Sequence, residues 1–367
     1  MNHKVTFPWN RFRCYFQQTH MTTTGNNHGK RATIRGVASA AGVSIATVSR
    51  VLNGRPDVAA DTREAVLRAV REQGFSTNRN ARALSGGRTG LVGVTIPLVE
   101  AAYFGVILSG ASEALYEQDM RIVLCPTLHQ HDREVTLLDR LMRGTTDGAV
   151  LMLPEESSAE LKALQRDFPV VVVDPRVALE EGIPVVSAAH AAGARAATEH
   201  LLALGHRRIG AITGPPEWIA STDRLNGYHG ALAAAGVLPD PDLVEVSDFR
   251  NGPVTEAAAT ALLDLPDPPT AIFAFNDNVA VGVMRTAIAR GLSIPDDLSV
   301  VGFDDSEQAG IVAPALTSVR QPLAEMGRMA VSLLLRLLEN QRVDALRIEL
   351  ATRLVVREST APISVAR

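Results

Sequence analysis

The 367-residue sequence predicts a two-part protein: a small all-α helix-turn-helix head followed by a two-lobed α/β body built on parallel sheets. Three observations predict it. Charge is divided unevenly: residues 1–90 carry 14 Lys and Arg against 4 acids, whereas the remainder carries 22 against 36. Such a split suggests a polyanion-binding head on an acidic body. Within the basic part, two short amphipathic stretches lie between Thr33 and Leu52, separated by a glycine. From Leu91 onward, short apolar runs alternate with amphipathic ones, the pattern of repeated strand–helix units.

Composition narrows the class. With 46% hydrophobic and 21% charged residues the chain is globular rather than disordered, and 2 Trp, 4 Tyr and 10 Phe leave its cores to aliphatic side chains. No run approaches the ~18 apolar residues of a membrane span, which excludes a transmembrane protein. Two cysteines, Cys14 and Cys125, exclude a disulfide framework and a thiolate zinc site. Residues 1–20 mix Arg11 and Arg13 with scattered aromatics and hold no apolar leader, so the expected compartment is the cytoplasm. Residues 1–32 read as a disordered polar arm, with Met21 an alternative start that would leave 1–20 untranslated.

In the head, Thr33 is placed to cap a helix whose Ile34, Val37, Ala38 and Ala41 share one face. Gly42-Val43-Ser44 breaks it: glycine supplies a positive φ, Val43 fills the angle between helices and Ser44 caps the next one. Val48, Val51 and Leu52 form the buried stripe of that second helix, leaving Ile45, Ala46, Ser49 and Arg50 on other faces and Thr47 near its start. A third helix is expected over about Asp61–Gln73, with Val66, Ala69 and Val70 inward and Gly74 as its terminal cap. Two short helices around a glycine turn are the helix-turn-helix arrangement, whose second helix enters the major groove. The competing reading is a plain three-helix bundle.

The stretch Thr33–Gly54, with Val43-Ser44, Thr47-Val-Ser-Arg-Val-Leu-Asn53, Thr62-Arg-Glu64 and Gly74-Phe-Ser-Thr-Asn78, resembles the lactose-repressor/galactose-repressor family of bacterial transcription regulators. The resemblance covers about Thr33 to Glu358. It implies that Ile45, Ala46 and Arg50 read base edges, that Ser44, Thr47, Ser49 and Asn53 make phosphate or mixed contacts, and that Asn78–Gly86 is a hinge helix. Asn78, Arg79, Ala81, Arg82 and Leu84 would then also touch DNA, with paired Leu84 side chains wedged into the minor groove. The alternative for Leu84 is an ordinary linker helix with its leucine in the core. Ala59 departs from the family's usual Ser or Thr at the start of the third helix, where Asp61 would serve instead.

The resulting organisation is an arm (1–32), a helix-turn-helix domain (33–77), a hinge and linker (78–90), a periplasmic-binding-protein-like effector and dimerisation body (91–358) and a tail (359–367). Strands are expected at 91–96, 121–125, 148–153, 170–173, 208–213, 243–246, 271–275 and 299–303. Helices are expected at 103–118, 132–143, 191–204, 224–235, 255–263, 278–290 and 323–338. A ligand belongs between two such lobes, at the strand carboxyl ends.

No phosphate-loop or dinucleotide glycine fingerprint, nucleophile elbow or zinc-protease helix occurs. His129, His131 and Asp132 are close enough to suggest a metal, but a solvated loop is the expectation; Asp304 and Asp305, adjacent after a strand, should point apart. No enzyme, no metal and no cofactor are expected. The resemblance makes Val300–Asp305, Phe275–Asn278 and Arg224–Tyr228 effector-site segments and Thr317–Pro322 a family marker. It implies that Asp304, Asn276, Arg224 and Asp174 bond ligand hydroxyls, with Trp218, Phe249, Tyr103 and Phe104 as walls. Carboxylates, amides and aromatic faces suit a sugar.

Trp218 and Ala220 stand where the family's purine-responsive branch has arginine and threonine, and Pro97 removes another donor, so a purine effector is disfavoured. The expected protein is therefore a dimeric repressor of a palindromic operator under a sugar-like effector; the tail lacks the heptads of a tetramer-forming coil. The alternatives are a sugar-binding protein without a DNA role and a nucleoside-responsive regulator.

Overall fold

The computed structural model describes residues 33–52, 55, 57–75, 88–341 and 346–363, and of Arg140 and Leu141 the backbone alone. The chain divides into two compact units, 1–78 and 79–367.

In the first unit, α1 (Ile34–Ala41), α2 (Ile45–Leu52) and α3 (Ala60–Glu72) surround a core of Val37, Ala38, Val48, Val51, Val66 and Ala69. Local chemistry sets each boundary. Thr33 Oγ1 accepts from the Gly36 N–H at 3.1 Å, and Ser44 Oγ accepts from Thr47 N–H at 3.1 Å, so both short helices carry side-chain caps. Gly42 adopts φ +66°, the left-handed conformation that ends α1 and turns the chain into α2. Ala59 makes no side-chain cap, and Asp61 is the acid in the first turn of α3. The expected hinge helix, with Asn78, Arg79, Ala81, Arg82 and Leu84, and the contact residue Asn53 lie outside the described residues.

The second unit opens with β1 (Leu91–Ile96), α4 (Ala102–Tyr116), β2 (Arg121–Pro126) and α5 (His131–Thr136). A π-helical stretch (Leu137–Met142) and a last turn (Arg143–Thr145) lead into β3 (Gly148–Met152), α6 (Ser158–Gln165), β4 (Val170–Val173) and β5 (Val185–Ala188). The chain then crosses to a second lobe: α7 (His190–Ala203), β6 (Ile209–Thr213), α8 (Ile219–Ala234), β7 (Val244–Val246), α9 (Pro253–Leu263) and β8 (Ala271–Ala274). There follow α10 (Asp277–Ala289), β9 (Ser299–Asp304), α11 (Glu307–Ile311) and β10 (Thr317–Arg320). A second crossing gives α12 (Leu323–Leu338) and β11 (Arg347–Leu350) to the first lobe, and a third returns β12 (Arg353–Val355) to the second.

Each lobe is one six-stranded sheet, ordered β11-β5-β4-β3-β1-β2 and β12-β10-β9-β8-β6-β7. All pairings are parallel except β10 with β12. Parallel strands covered on both faces need apolar residues throughout, and Val170–Val173 are fully buried. The order reverses between β1 and β3 in one lobe and between β6 and β8 in the other, so a crevice opens at the strand carboxyl ends of each. Helices α4 and α12 approach until a Cβ on Gly110 would lie 1.9 Å from the Ala324 carbonyl oxygen and one on Gly327 2.0 Å from that of Ile107. Only glycine permits that packing.

The sequence reading omits four strands and two helices. Strands β5, β10, β11 and β12 are three or four residues long and lack a distinct apolar run. Helix α6 does carry a signal, the Ser157-x-x-Glu160 capping box, in which Ser157 Oγ accepts from Glu160 N–H while Glu160 accepts from Ser157. Helix α8 begins at Ile219, five residues before the expected Arg224, because Trp218 precedes it with no side-chain cap to mark the start. The tail expected from 359 is partly built in. Ser359 is buried, its Oγ donates to the Val300 carbonyl at 2.6 Å and accepts from Thr317 N–H at 2.8 Å, and Ile363 N–H donates to the Leu204 carbonyl.

Candidate functional site

The head presents one exposed surface at the start of α2. Ile45 is 43% exposed, a large apolar side chain left in solvent while the same helix buries Val48 and Val51, and Ala46 and Arg50 are exposed beside it. Thr47 and Ser49 are half-buried, and Ser44 is engaged in its cap and with the Thr47 hydroxyl at 2.9 Å. An exposed aliphatic side chain with a guanidinium one and a half turns further along can fill a thymine-methyl contact and a guanine edge.

In the second unit, the strand ends of both lobes enclose a cavity of about 700 Å³. Seven of its lining positions follow strands directly or nearly so: Leu153 after β3, Asp174 after β4, Phe249 after β7, Phe275 and Asn276 after β8, Asp304 at the end of β9 and Gln321 after β10. Non-glycine residues with positive φ gather here too: His129, Leu153, Asp174, Phe249, Asp304 and Asp305. Such backbone strain persists where surrounding structure fixes it, and it gathers at binding sites.

A polar relay crosses between the lobes. Tyr103, in α4, donates its hydroxyl to Asp174 Oδ2 at 2.7 Å, and His190 Nε2 bonds Asp174 Oδ1 at 2.7 Å. Arg224 Nη2 lies 3.2 Å from His190 Nδ1, and its Nη1 donates to the Phe275 carbonyl at 2.5 Å. Guanidinium can only donate and carboxylate only accept. His190 therefore accepts at Nδ1 and donates from Nε2, which fixes its tautomer. Burial opposes charge on Asp174, but the imidazole, the Tyr103 hydroxyl and Arg224 outweigh it and hold the carboxyl below its ordinary value. Burial, then Asp174, pushes the Tyr103 phenol well up. Burial lowers Arg224, which is clamped between the rings of Phe303 and Phe275, at 3.8 and 4.4 Å.

Asp304 differs from Asp174. It is half-buried on the cavity wall, takes one bond from Gln321 Nε2 at 2.7 Å on Oδ1, and is pushed up to about 7, mainly by burial. Asn276 lines the cavity but its amide is engaged: Oδ1 accepts from Val279 N–H at 2.9 Å, capping α10, and Nδ2 donates to the Phe249 carbonyl at 3.0 Å. Trp218 and Phe249 stack at 5.0 Å, His129 stacks on Trp218 at 6.4 Å, and Arg176 sits over the same indole at 5.4 Å. Phe104 is buried edge-on to Tyr103 at 5.2 Å.

All eight effector candidates, Tyr103, Phe104, Asp174, Trp218, Arg224, Phe249, Asn276 and Asp304, thus line one cavity. Reading the sequence missed His129, Arg176, His190 and Gln321. Of the three residues read as a solvated loop, His131 and Asp132 are exposed at the start of α5, whereas His129, in the turn before it, is half-buried: its Nδ1 bonds Glu155 at 3.1 Å, and Glu155 also pairs with Arg176. His190 carries no local signal, since only the crossing after β5 brings it to Asp174. Gln321 belongs to the Thr317–Pro322 marker and was recoverable from it. Asp304 and Asp305 do point apart: Asp305 turns away from Gln321 and is gripped by Arg320 and Arg357. Among the described residues no cluster of three His, Cys, Asp or Glu could hold a metal, and no helix is long and apolar enough to cross a membrane.

Residues 33–78 match the bacterial regulatory proteins of the lacI family, and residues 198–360 match the periplasmic binding protein-like domain. The chain is 35% identical to the ribose operon repressor of Halalkalibacterium halodurans over 333 residues, covering 89% of this chain and 97% of that protein. Among solved structures it is similar to a complex of the transcriptional regulator CelR with cellobiose, with 35% identity and a TM-score of 0.68 over 90% of this chain and all of that one. It is also similar to a lac repressor dimer bound to operator and the anti-inducer ONPF, with 28% identity and a TM-score of 0.80 over the same shares. A capped helix-turn-helix, two parallel-sheet lobes around a polar cavity and these likenesses lead to one conclusion: the chain belongs to the lacI family and is a DNA-binding transcription regulator.

Proposed function

We propose that the protein is a repressor that binds a palindromic operator as a homodimer and is controlled by a sugar-like effector in the interlobe cavity. The observation that carries the reading is the pairing, in one chain, of an exposed Ile45–Ala46–Arg50 surface with a cavity walled by carboxylates and aromatic rings. The relatives' names support it: one is a ribose operon repressor and another is seen with cellobiose. Arg50 would pair with guanine O6 and N7, Ile45 and Ala46 would contact thymine methyls, and Ser44, Thr47, Ser49 and Asn53 would set register on phosphates. Asn78, Arg79, Ala81 and Arg82 would follow the hinge, and Leu84 would wedge open a flexible pyrimidine–purine step.

Control requires an effector with different affinity for two lobe arrangements. The relay Tyr103–Asp174–His190–Arg224 spans both lobes and is the group whose geometry closure would change. Arg50→Ala is expected to weaken operator binding by about 1–3 kcal/mol and relax one base position. Transcript profiling of a strain lacking the gene, beside one carrying Arg50→Ala, tests the repressor reading. Raised transcripts of one small shared set of genes support it, whereas lowered transcripts or no change overturn it.

A further inference from the structure

We infer that the cavity takes an uncharged, hydroxyl-rich ligand at least two sugar rings long, and that it rejects phosphorylated and carboxylated sugars. The inference rests on the sugar reading above and narrows it. Three arginines line the cavity among the described residues. Arg176 pairs with Glu155 and Arg320 with Asp305, while Arg224 is engaged by His190 and the Phe275 carbonyl and keeps only a buried Nε without a partner. Beyond Asp305, which those pairings already include, the same wall carries Glu100, Asp174, Asp277, Asp304 and Glu307. A phosphate or carboxylate would have to break one of these arginine pairings or face the acidic surplus undisguised. Both alternatives cost more in a confined cavity than in water.

Hydroxyl groups meet no such obstacle. Asp304 has one oxygen on Gln321 and a second with no protein partner, so it can accept from a sugar hydroxyl. The burial-driven rise of Asp304 to about 7 fits a carboxyl short of hydrogen-bond donors that ligand hydroxyls would supply.

Length follows from the cavity's size and from its two kinds of wall: Trp218 and Phe249 stack in one part, and Asp174, Arg224 and Asp304 form another. A cavity of about 700 Å³ lies well within the range that encloses ligands of disaccharide size. One ring would sit at the Asp174–Arg224–Asp304 end and the next against Trp218 and Phe249.

The chain has two tryptophans, Trp9 and Trp218, so a full-length Trp9→Phe variant makes Trp218 the reporter. Its fluorescence is titrated with cellobiose, maltose and lactose, and with glucose, glucose 6-phosphate, gluconate, glucosamine and adenosine. The expected result is saturable binding of at least one disaccharide, at least tenfold tighter than glucose, with no saturation by the two anions. Calorimetry on Trp218→Ala and Trp218→Phe should show the disaccharide's advantage lost in the first and largely kept in the second. Tighter binding of glucose 6-phosphate, gluconate or glucosamine overturns the charge statement and leaves the sugar reading standing. Glucose binding as tightly as every disaccharide overturns the two-ring statement. Adenosine alone binding overturns the sugar reading itself, and no saturation by any probe overturns both.

Discussion

The two lobes share a strand order yet manage their buried carboxyls in opposite ways. In the second lobe, Asp305 is held by Arg320 and Arg357, and Asp277 accepts from Ser306 N–H, Ser306 Oγ and Ser318 Oγ at 2.6 to 2.8 Å. In the first, Glu134 and Glu156 are 1% and 3% exposed, Glu156 has neither oxygen bonded, and Glu134 has one free. Burial first, and each other's charge in the case of Glu156, push both carboxyls up toward and past neutrality. Each lobe also holds an exception: Asp174 of the first is matched by Tyr103 and His190, and Asp304 of the second has a single bond, from Gln321. A carboxyl buried without partners makes stability depend on its protonation.

The largest expected effect breaks the matched side. Asp305→Ala strands two arginines, and since both are partly exposed the loss should sit near the lower end of the range for a broken buried pair, about 3 kcal/mol. Urea unfolding of the full chain measures it; a loss below about 1 kcal/mol would mean the second lobe does not depend on that pairing.

The next effect concerns the unmatched side. Below the ordinary carboxylate value of 4.5 both folded and unfolded chains hold these protons. As pH rises the unfolded chain ionises first, so the folded state loses stability until pH passes the raised values. Asp277, raised to about 6, and Asp304, raised to about 7, act in the same direction. Burial lowers His200, His206 and His229, which act the other way below their ordinary value of 6.5. Unfolding between pH 7 and 9 should therefore show declining stability, and Glu156→Gln should reduce the slope and gain about 1–3 kcal/mol at pH 8. A slope unchanged by that substitution would show that Glu156 ionises in the fold without cost.

The smallest effect sharpens the distinction between holding the wall and holding the ligand. Asn276→Ala removes the α10 cap and the bond to Phe249, for about 1 kcal/mol of stability. Because both ends of the amide are already engaged, ligand affinity should fall far less than in Asp304→Ala. Titration of both variants with the same sugar decides; equal losses would make Asn276 a direct ligand contact.

How far the sequence speaks for itself also differs by region. The head is legible because its determinants are local: Thr33 and Ser44 cap, Gly42 turns, and Val37, Val48 and Val66 close the core. The parallel strands with strong apolar runs, such as Val170–Val173, are legible for the same reason. The cavity is legible only in part. Asp174, Arg224 and Asp304 follow strands or recognisable segments, but His190 reaches Asp174 through the crossing between lobes, and β10 to β12 are placed by pairing rather than by composition. The pairing of His129 with Glu155 is likewise a long-range contact that no spacing announces.

The central claim is that this chain reads DNA as a symmetric dimer. Its most direct test is selection of binding sites by the full-length protein from a random duplex pool at fixed salt, since phosphate contacts make affinity salt-dependent, with and without a mixture of neutral sugars. The account predicts enrichment, in at least one of the two conditions, of a palindrome with a pyrimidine–purine step at its centre. Enrichment of an asymmetric single site, or of nothing in both conditions, would contradict it.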